Sequence, residues 1–211
     1  MKINKIKKKG VVKRDKISET CLIVALGNPG SKYVETRHNV GFKVLDYWSQ
    51  KIGVSMNRKS FNAYFARTRL QDKDIILLCP LTFMNLSGKS VRECIDYYRI
   101  ENNNLLVVHD DIDLPVGRVK VVKNSGPAGH RGVLSIIQHI GTKDFARVRI
   151  GVGRPQNGEQ VDQFVLSCFY RHEREIIERA IDLAAYGCEL FVLEGVDRAM
   201  NTINCQDVST Q

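Results

Sequence analysis

Two spacings of apolar residues alternate along this chain. Runs with no polar break, "CLIVAL" (21–26), "DIILLC" (74–79) and "NLLVVH" (104–109), read as strands buried on both faces. "FNAYFARTRL" (61–70) joins the second of these across a Gln-Asp-Lys turn, and "GRVKVVK" (117–123) and "ARVRIGVG" (146–153) supply two more. Between the strands, apolar positions fall at helical intervals. Thr36 is placed to cap a helix reaching about residue 52, with Val40, Val44, Leu45, Trp48 and Ile52 as its stripe. Ser87 opens a second helix to about residue 99, "VLSIIQHI" (133–140) is a third, and two more occupy about 171–185 and 187–200. Strands alternating with amphipathic helices predict the α/β class. The expected form is a single-domain sandwich, with a twisted, mixed, largely parallel sheet covered by helices on both faces. Residues 1–20 lack apolar periodicity and read as a basic N-terminal arm, either disordered or a start-site artefact. The folded domain is expected over 21–211.

Composition sharpens this picture without redirecting it. The chain has 211 residues, 43% of them hydrophobic and 26% charged, which suits one well-buried globular core. No stretch approaches the length of a membrane span, and no secretory signal follows the basic start, so no membrane partner is expected. None of the six cysteines is spaced as CxxC. They read as reduced thiols of a cytoplasmic protein rather than a zinc site.

The formal charge of +9 is unevenly spread. Residues 1–16 carry eight Lys/Arg and one Asp, and residues 114–154 again carry eight Lys/Arg and one Asp. Residues 155–211 carry four Arg and ten acids. A local basic zone suits a polyanion; a solvated charged face is the bland alternative.

Candidate chemistry gathers at the carboxyl ends of the strands. Asn28 follows the 21–26 strand, Asn85 lies in the loop after 74–79, and Asp110 follows 104–109. His38 stands in the first turn of the next helix, near the same rim. Ligands of open α/β sheets bind there. Each residue alone could be a turn residue bonding its own backbone, but four groups aimed at one rim favour a site. A neutral His38 supplies a general base, with Asp110 the best partner to fix its tautomer. No GxSxG is present, which favours water as the nucleophile over a covalent intermediate.

Other signals lead away. "SGKS" (87–90) lacks the first glycine of a phosphate loop, where Phe83 stands, and "GPAGHRG" is not the dinucleotide fingerprint. The acids of "HDDID" (109–113) read as turn and cap residues rather than a cation site, so no metal is expected. His130, His139 and His172 read as structural or solvated.

Five motifs in order carry a resemblance: "LIVALGNPGSKYVETRHNVGF", "PLTFMNLSGKSV", "LLVVHDDIDLPVGRVKV", "GPAGHRG" with "SIIQHIGTKDFARVRIGVGRP", and "VDQFVLSCF". Over about Cys21 to Thr202 the chain resembles the bacterial peptidyl-tRNA hydrolase family. The resemblance implies a monomeric, cytosolic esterase without cofactor or metal. Its partner is peptidyl-tRNA, held by acceptor stem, CCA end and nascent peptide. The enzyme cleaves the ester joining the peptide to the 3′-terminal ribose and so recycles tRNA from drop-off peptides.

The resemblance also implies His38 as base, Asp110 as its support, and Asn28 and Asn85 as the amides that orient ester and water. It puts Tyr33 by the cleft, Phe83 and Met84 on its apolar wall, and Lys120 and Arg149 on tRNA phosphate. In this reading Asn28, Asn85 or a backbone N–H stabilises the oxyanion, and activity falls below about pH 6 as His38 protonates. One position departs. Many members read "GHNG" where this chain has Arg131 in "GHRG", which exchanges a peptide- or water-binding amide for a donor-only cation with possible phosphate affinity. The alternative function is a non-catalytic RNA-binding protein on the same fold, since plant organelle splicing factors resemble this family too.

Overall fold

The computed structural model describes residues 20–156 and 158–208. The basic arm, apart from Thr20, lies outside the described residues.

Seven strands form one sheet: β1 (Cys21–Ala25), β2 (Arg58–Ser60), β3 (Ala63–Leu70), β4 (Lys73–Pro80), β5 (Leu105–Asp111), β6 (Val119–Lys123) and β7 (Ala146–Gly151). Their spatial order is β2-β3-β4-β1-β5-β7-β6. The four central strands β4, β1, β5 and β7 run parallel, with Leu22 paired to Ile76 on one side and to Leu105 on the other. Antiparallel strands close both edges: β2 and β3 beside β4, and β6 beside β7. The expected mixed, largely parallel sheet is therefore present. The short edge strand β2 was not expected, because its Arg-Lys-Ser sequence carries no apolar alternation.

Helices cover both faces. On one side lie α1 (Val40–Lys51), α5 (Arg174–Glu194) and α6 (Val196–Ile203), packed over Ile23, Leu77, Leu106 and Val148. On the other lie α2 (Ser87–Tyr98) and α3 (Arg131–Ile140), packed over Leu22, Val24, Ile76 and Val107. Strand residues alternate between the two cores, as a period of two requires. A short helix, α4 (Val161–Val165), was not foreseen.

Two expected boundaries move. The two helices expected at 171–185 and 187–200 are instead one long α5 and a short α6, with the break at Gly195. Gly187 lies inside α5, facing Ile203 of α6. Gly195 has the positive φ of +87° that ends the helix. At the other end, Thr36 caps no α-helix. Its hydroxyl donates to the Tyr33 carbonyl, and a single 3₁₀ turn, Arg37–Asn39, comes before α1.

That turn is held by a close approach. A Cβ on Gly41 would lie 2.6 Å from the Leu26 carbonyl oxygen and 2.7 Å from that of Val108. The start of α1 thus rests directly on the backbone at the ends of β1 and β5, which sets His38 against the end of β5. The glycine of "SGKS" serves a similar end. A Cβ on Gly88 would lie 2.1 Å from the Ser135 carbonyl oxygen, so that glycine lets α2 pack on α3 and cradles no phosphate.

Gly-to-Ala within a helix ordinarily stabilises by about 0.5–1 kcal/mol. Here Gly41→Ala is expected to destabilise by about 1–3 kcal/mol through overpacking against backbone. Urea unfolding of the two proteins measures the sign, and a gain in stability would contradict the close packing.

Candidate active site

The carboxyl ends of β1, β4 and β5 open into a cavity of about 420 Å³. Its floor holds Asn28, His38 and Asp110; Phe83, Met84 and Asn85 form one wall, and residues 127–131 with α4 form the other. Three sequence segments far apart in the chain thus bring the four expected polar residues to one place.

The floor is organised by one carboxylate oxygen. Asp110 is 2% exposed, and its Oδ1 lies 2.8 Å from His38 Nδ1 and 2.9 Å from His130 Nε2. The far nitrogen of His130, Nδ1, accepts from the backbone N–H groups of Gly132 and Val133 at 3.1 and 3.3 Å and so caps α3. That nitrogen must carry the lone pair, which puts the proton on Nε2 and makes it a donor to Asp110. His38 likewise donates from Nδ1, which leaves its Nε2 as a bare acceptor on the cavity side.

The electrostatics agree. Burial raises the pKa of the Asp110 carboxyl, but the two histidines outweigh it and hold the group well below the usual carboxylate range. Burial also opposes a charged imidazole at His38, yet Asp110 prevails and raises its pKa above the ordinary 6.5. His109 lies behind, its ring 4.7 Å from that of His130. Burial, then His130 and Arg147, keep it neutral.

The amides are fixed with equal economy. Asn28 Oδ1 accepts from the Met84 backbone N–H at 3.0 Å, so its Nδ2 is the end left to face a ligand. Asn39 holds the Asn28 backbone from both sides: its Oδ1 accepts from the Asn28 N–H and its Nδ2 donates to the Asn28 carbonyl, both at 2.9 Å. The Gly-Asn-Pro-Gly turn and the Thr-Arg-His-Asn turn are therefore one unit.

Sequence reasoning missed His130 and Asn39 as parts of this site. His130 is indeed structural, as the cap of α3, but its other nitrogen belongs to the site. A histidine directly ahead of an apolar helix was the available signal. The three groups His38, Asp110 and His130 lie close enough to ligate an ion. Their donors are committed as a chain of hydrogen bonds, with His130 Nε2 protonated, so the set is built to hold protons rather than a metal. The acids of "HDDID" do not converge either: Asp111 pairs with Arg149 and Asp113 with Arg154.

A model of peptidyl-tRNA hydrolase matches residues 22–211. The chain belongs to the peptidyl-tRNA hydrolase family. It is 42% identical over 183 residues to the peptidyl-tRNA hydrolase of Shouchella clausii and 45% identical over 183 to that of Halalkalibacterium halodurans. Each alignment covers 87% of this chain and 99% of the relative. The crystal structure of peptidyl-tRNA hydrolase from Acinetobacter baumannii superposes with a TM-score of 0.86 at 36% identity, over 92% of this chain and all of that one.

Against the family pattern, the remaining expected residues divide. Phe83, Met84, Asn85 and Arg131 line the cavity. Tyr33 does not: it is half-buried on the outer turn, beneath the Lys32 ammonium. Lys120 and Arg149 lie directly opposite one another on β6 and β7, outside the cavity. Arg149 is already paired to Asp111 at 2.5 Å, whereas Lys120 meets no carboxylate among the described residues. Much of the basic zone is similarly engaged. Arg118 bonds the carbonyls of Asn204 and Gln206, Lys123 pairs with Asp197, and buried Arg147 donates to the Gly126 carbonyl. The zone is less free than its sequence implied.

Because burial opposes the His38 imidazolium and Asp110 is the main group that offsets it, Asp110→Asn is expected to lower the His38 titration midpoint. An NMR titration of the imidazole measures this, and an unmoved midpoint would detach the two residues.

Proposed function

We propose that this protein is a carboxylic ester hydrolase that cleaves the bond between a peptide and the 3′-terminal ribose of tRNA. The observation that carries this reading is the basic nitrogen His38 Nε2, set in a cavity beside Asn28, whose Oδ1 is turned to the Met84 N–H so that its Nδ2 donor faces the cleft.

In the reaction, His38 Nε2 takes a proton from water while Asp110 stabilises the imidazolium that forms. The hydroxide equivalent attacks the ester carbonyl carbon. The carbonyl oxygen gains the charge and is met by the Asn28 Nδ2 donor and by Asn85 at the cavity wall. Collapse of the tetrahedral intermediate breaks the bond to the ribose oxygen, which recovers the proton from His38. The products are a peptide carboxylate and the free ribose hydroxyl. Phe83, 59% exposed at the rim, and buried Met84 offer apolar surface to peptide side chains. Lys120, with Arg149 beside it, is placed for phosphate of the acceptor stem. Arg149 is balanced by Asp111, which leaves Lys120 as the cation of the two that a phosphate would meet.

We take the enzyme to work as a monomer in the cytoplasm. All of the catalytic groups come from one chain, and six free thiols fit a reducing compartment.

His38→Ala is expected to lower hydrolysis of N-acetylated aminoacyl-tRNA by about 10²–10⁴-fold, with EDTA present throughout. Retained turnover in the variant would refute the base assignment. With the His38 pKa raised, the neutral base is lost as pH falls through a midpoint above 6.5, so the acid limb should stand higher than the sequence-based value near pH 6. A rate independent of pH from 5 to 8 would contradict it. For Lys120→Ala, the slope of log affinity for tRNA against log salt is expected to fall by about one. An unchanged slope would remove Lys120 from the phosphate contacts.

A further inference from the structure

Arg131 opens α3 on one wall of the cavity, and Asp162 lies in the first turn of α4 on the other. Arg131 Nη2 donates to Asp162 Oδ2 at 2.5 Å, so this ion pair ties the two walls together. The side chains are 65% and 64% exposed, and a pair that open to water holds little weight as a structural staple. Its position suggests another use. A cation in the first turn of a helix is ordinarily unfavourable, because the helix end already carries partial positive charge. Here the cation also stands beside the catalytic base, and an opposite charge has been placed against it. We propose that Arg131 and Asp162 form a neutral charge clasp across the cleft, each cancelling the other's field at His38, and that this clasp is what lets an arginine occupy the peptide wall.

The reading rests on the proposed general-base role of His38. The charged and titratable groups around that imidazole are Asp110 from β5, His130 ahead of α3, Arg131 from α3 and Asp162 from α4. Asp110 and His130 are buried and locked to each other. Arg37, although adjacent in sequence, turns away to Glu173. Only the clasp is exposed to solvent and therefore adjustable. Asp162 favours the imidazolium and Arg131 disfavours it.

The test is an NMR titration of the His38 ring in the full chain, comparing wild type, Arg131→Asn, Asp162→Asn and the double variant. A unit charge at about 8 Å in a water-like medium moves such a midpoint by roughly 0.4 pH. Arg131→Asn is expected to raise the midpoint by about that amount and Asp162→Asn to lower it. The double variant should return close to wild type, and the single shifts should shrink in about 1 M salt. Single variants that move the midpoint in the same direction, or not at all, or by amounts indifferent to salt, would overturn the clasp. The kinetic acid limb separates the two claims. Opposite shifts by NMR without hydrolysis of N-acetylated aminoacyl-tRNA would sink the proposed function and leave the clasp standing. Hydrolysis whose acid limb ignores both substitutions would sink the clasp alone.

Discussion

A single buried carboxylate oxygen, Asp110 Oδ1, joins three parts of this protein. The group sits at the end of β5, almost without solvent, where an uncompensated charge would be costly. Two imidazole N–H groups make it tolerable, and hydrogen bonds to a charged group contribute about 1.5–3 kcal/mol each. Each imidazole is itself anchored, His130 as the cap of α3 and His38 by the 3₁₀ turn that leads into α1. The ends of β5, α1 and α3 therefore meet at one atom. Losing either donor would leave a buried charge half satisfied, so the arrangement resists partial change.

The turn bearing His38 is held from behind as well. Arg37 is fully buried; it bonds Glu173 at 2.7 Å and the Val152 carbonyl at 3.2 Å. Its guanidinium lies within 5 Å of the ring centroids of Phe164, Phe169 and Tyr170. Rings desolvate the cation while supplying their negative faces, and the carboxylate balances the charge. The Arg37 N–H also reaches the Ser167 carbonyl at 2.9 Å. The segment after α4 is thereby bolted to the turn that carries His38, and adjacent residues point opposite ways: Arg37 into the structure, His38 into the cleft. Rigid support of this kind is what a general base needs to meet its water at a fixed angle.

The strands were legible because their apolar runs are long and their turns are marked by Gly, Pro and Asn. The central helices were legible for the same reason: Val40, Val44, Leu45 and Trp48 all lie at zero exposure. Edge strand β2 was not, since three polar residues carry no period. The break between the last two helices was misplaced: α5 runs on through Gly187, and Gly195, with its positive φ, ends it. Within the site, strand-end logic located Asn28, Asn85 and Asp110. It missed Asn39 and His130, whose contribution is a second hydrogen bond made across the fold. Tyr33, which the resemblance alone put by the cleft, is not among the residues lining the cavity. Charge counting also overstated the basic zone, because sequence cannot tell an arginine that binds a partner from one that holds a carbonyl of its own chain.

The chemistry follows from which lone pairs are already spent. The Asn28 side-chain oxygen is taken by the Met84 N–H, and the His130 Nδ1 lone pair by two N–H groups of α3. The Met84 contact orients the amide, so Asn28 presents its Nδ2 donor to the cleft. Asp110 accepts from both histidines and so fixes the proton of His38 on the side away from the cavity. The floor is thus polarised, with one basic nitrogen to receive a proton and an amide donor to receive developing negative charge. Ester hydrolysis by water requires that asymmetry, because the nucleophile must lose a proton while the carbonyl oxygen gains charge. A site with spare acceptors near the carbonyl would hold water in unproductive orientations. By turning the Asn28 oxygen and His130 Nδ1 toward its own backbone N–H groups, the fold leaves the Nδ2 donor of Asn28 and the basic nitrogen of His38 to face the cleft.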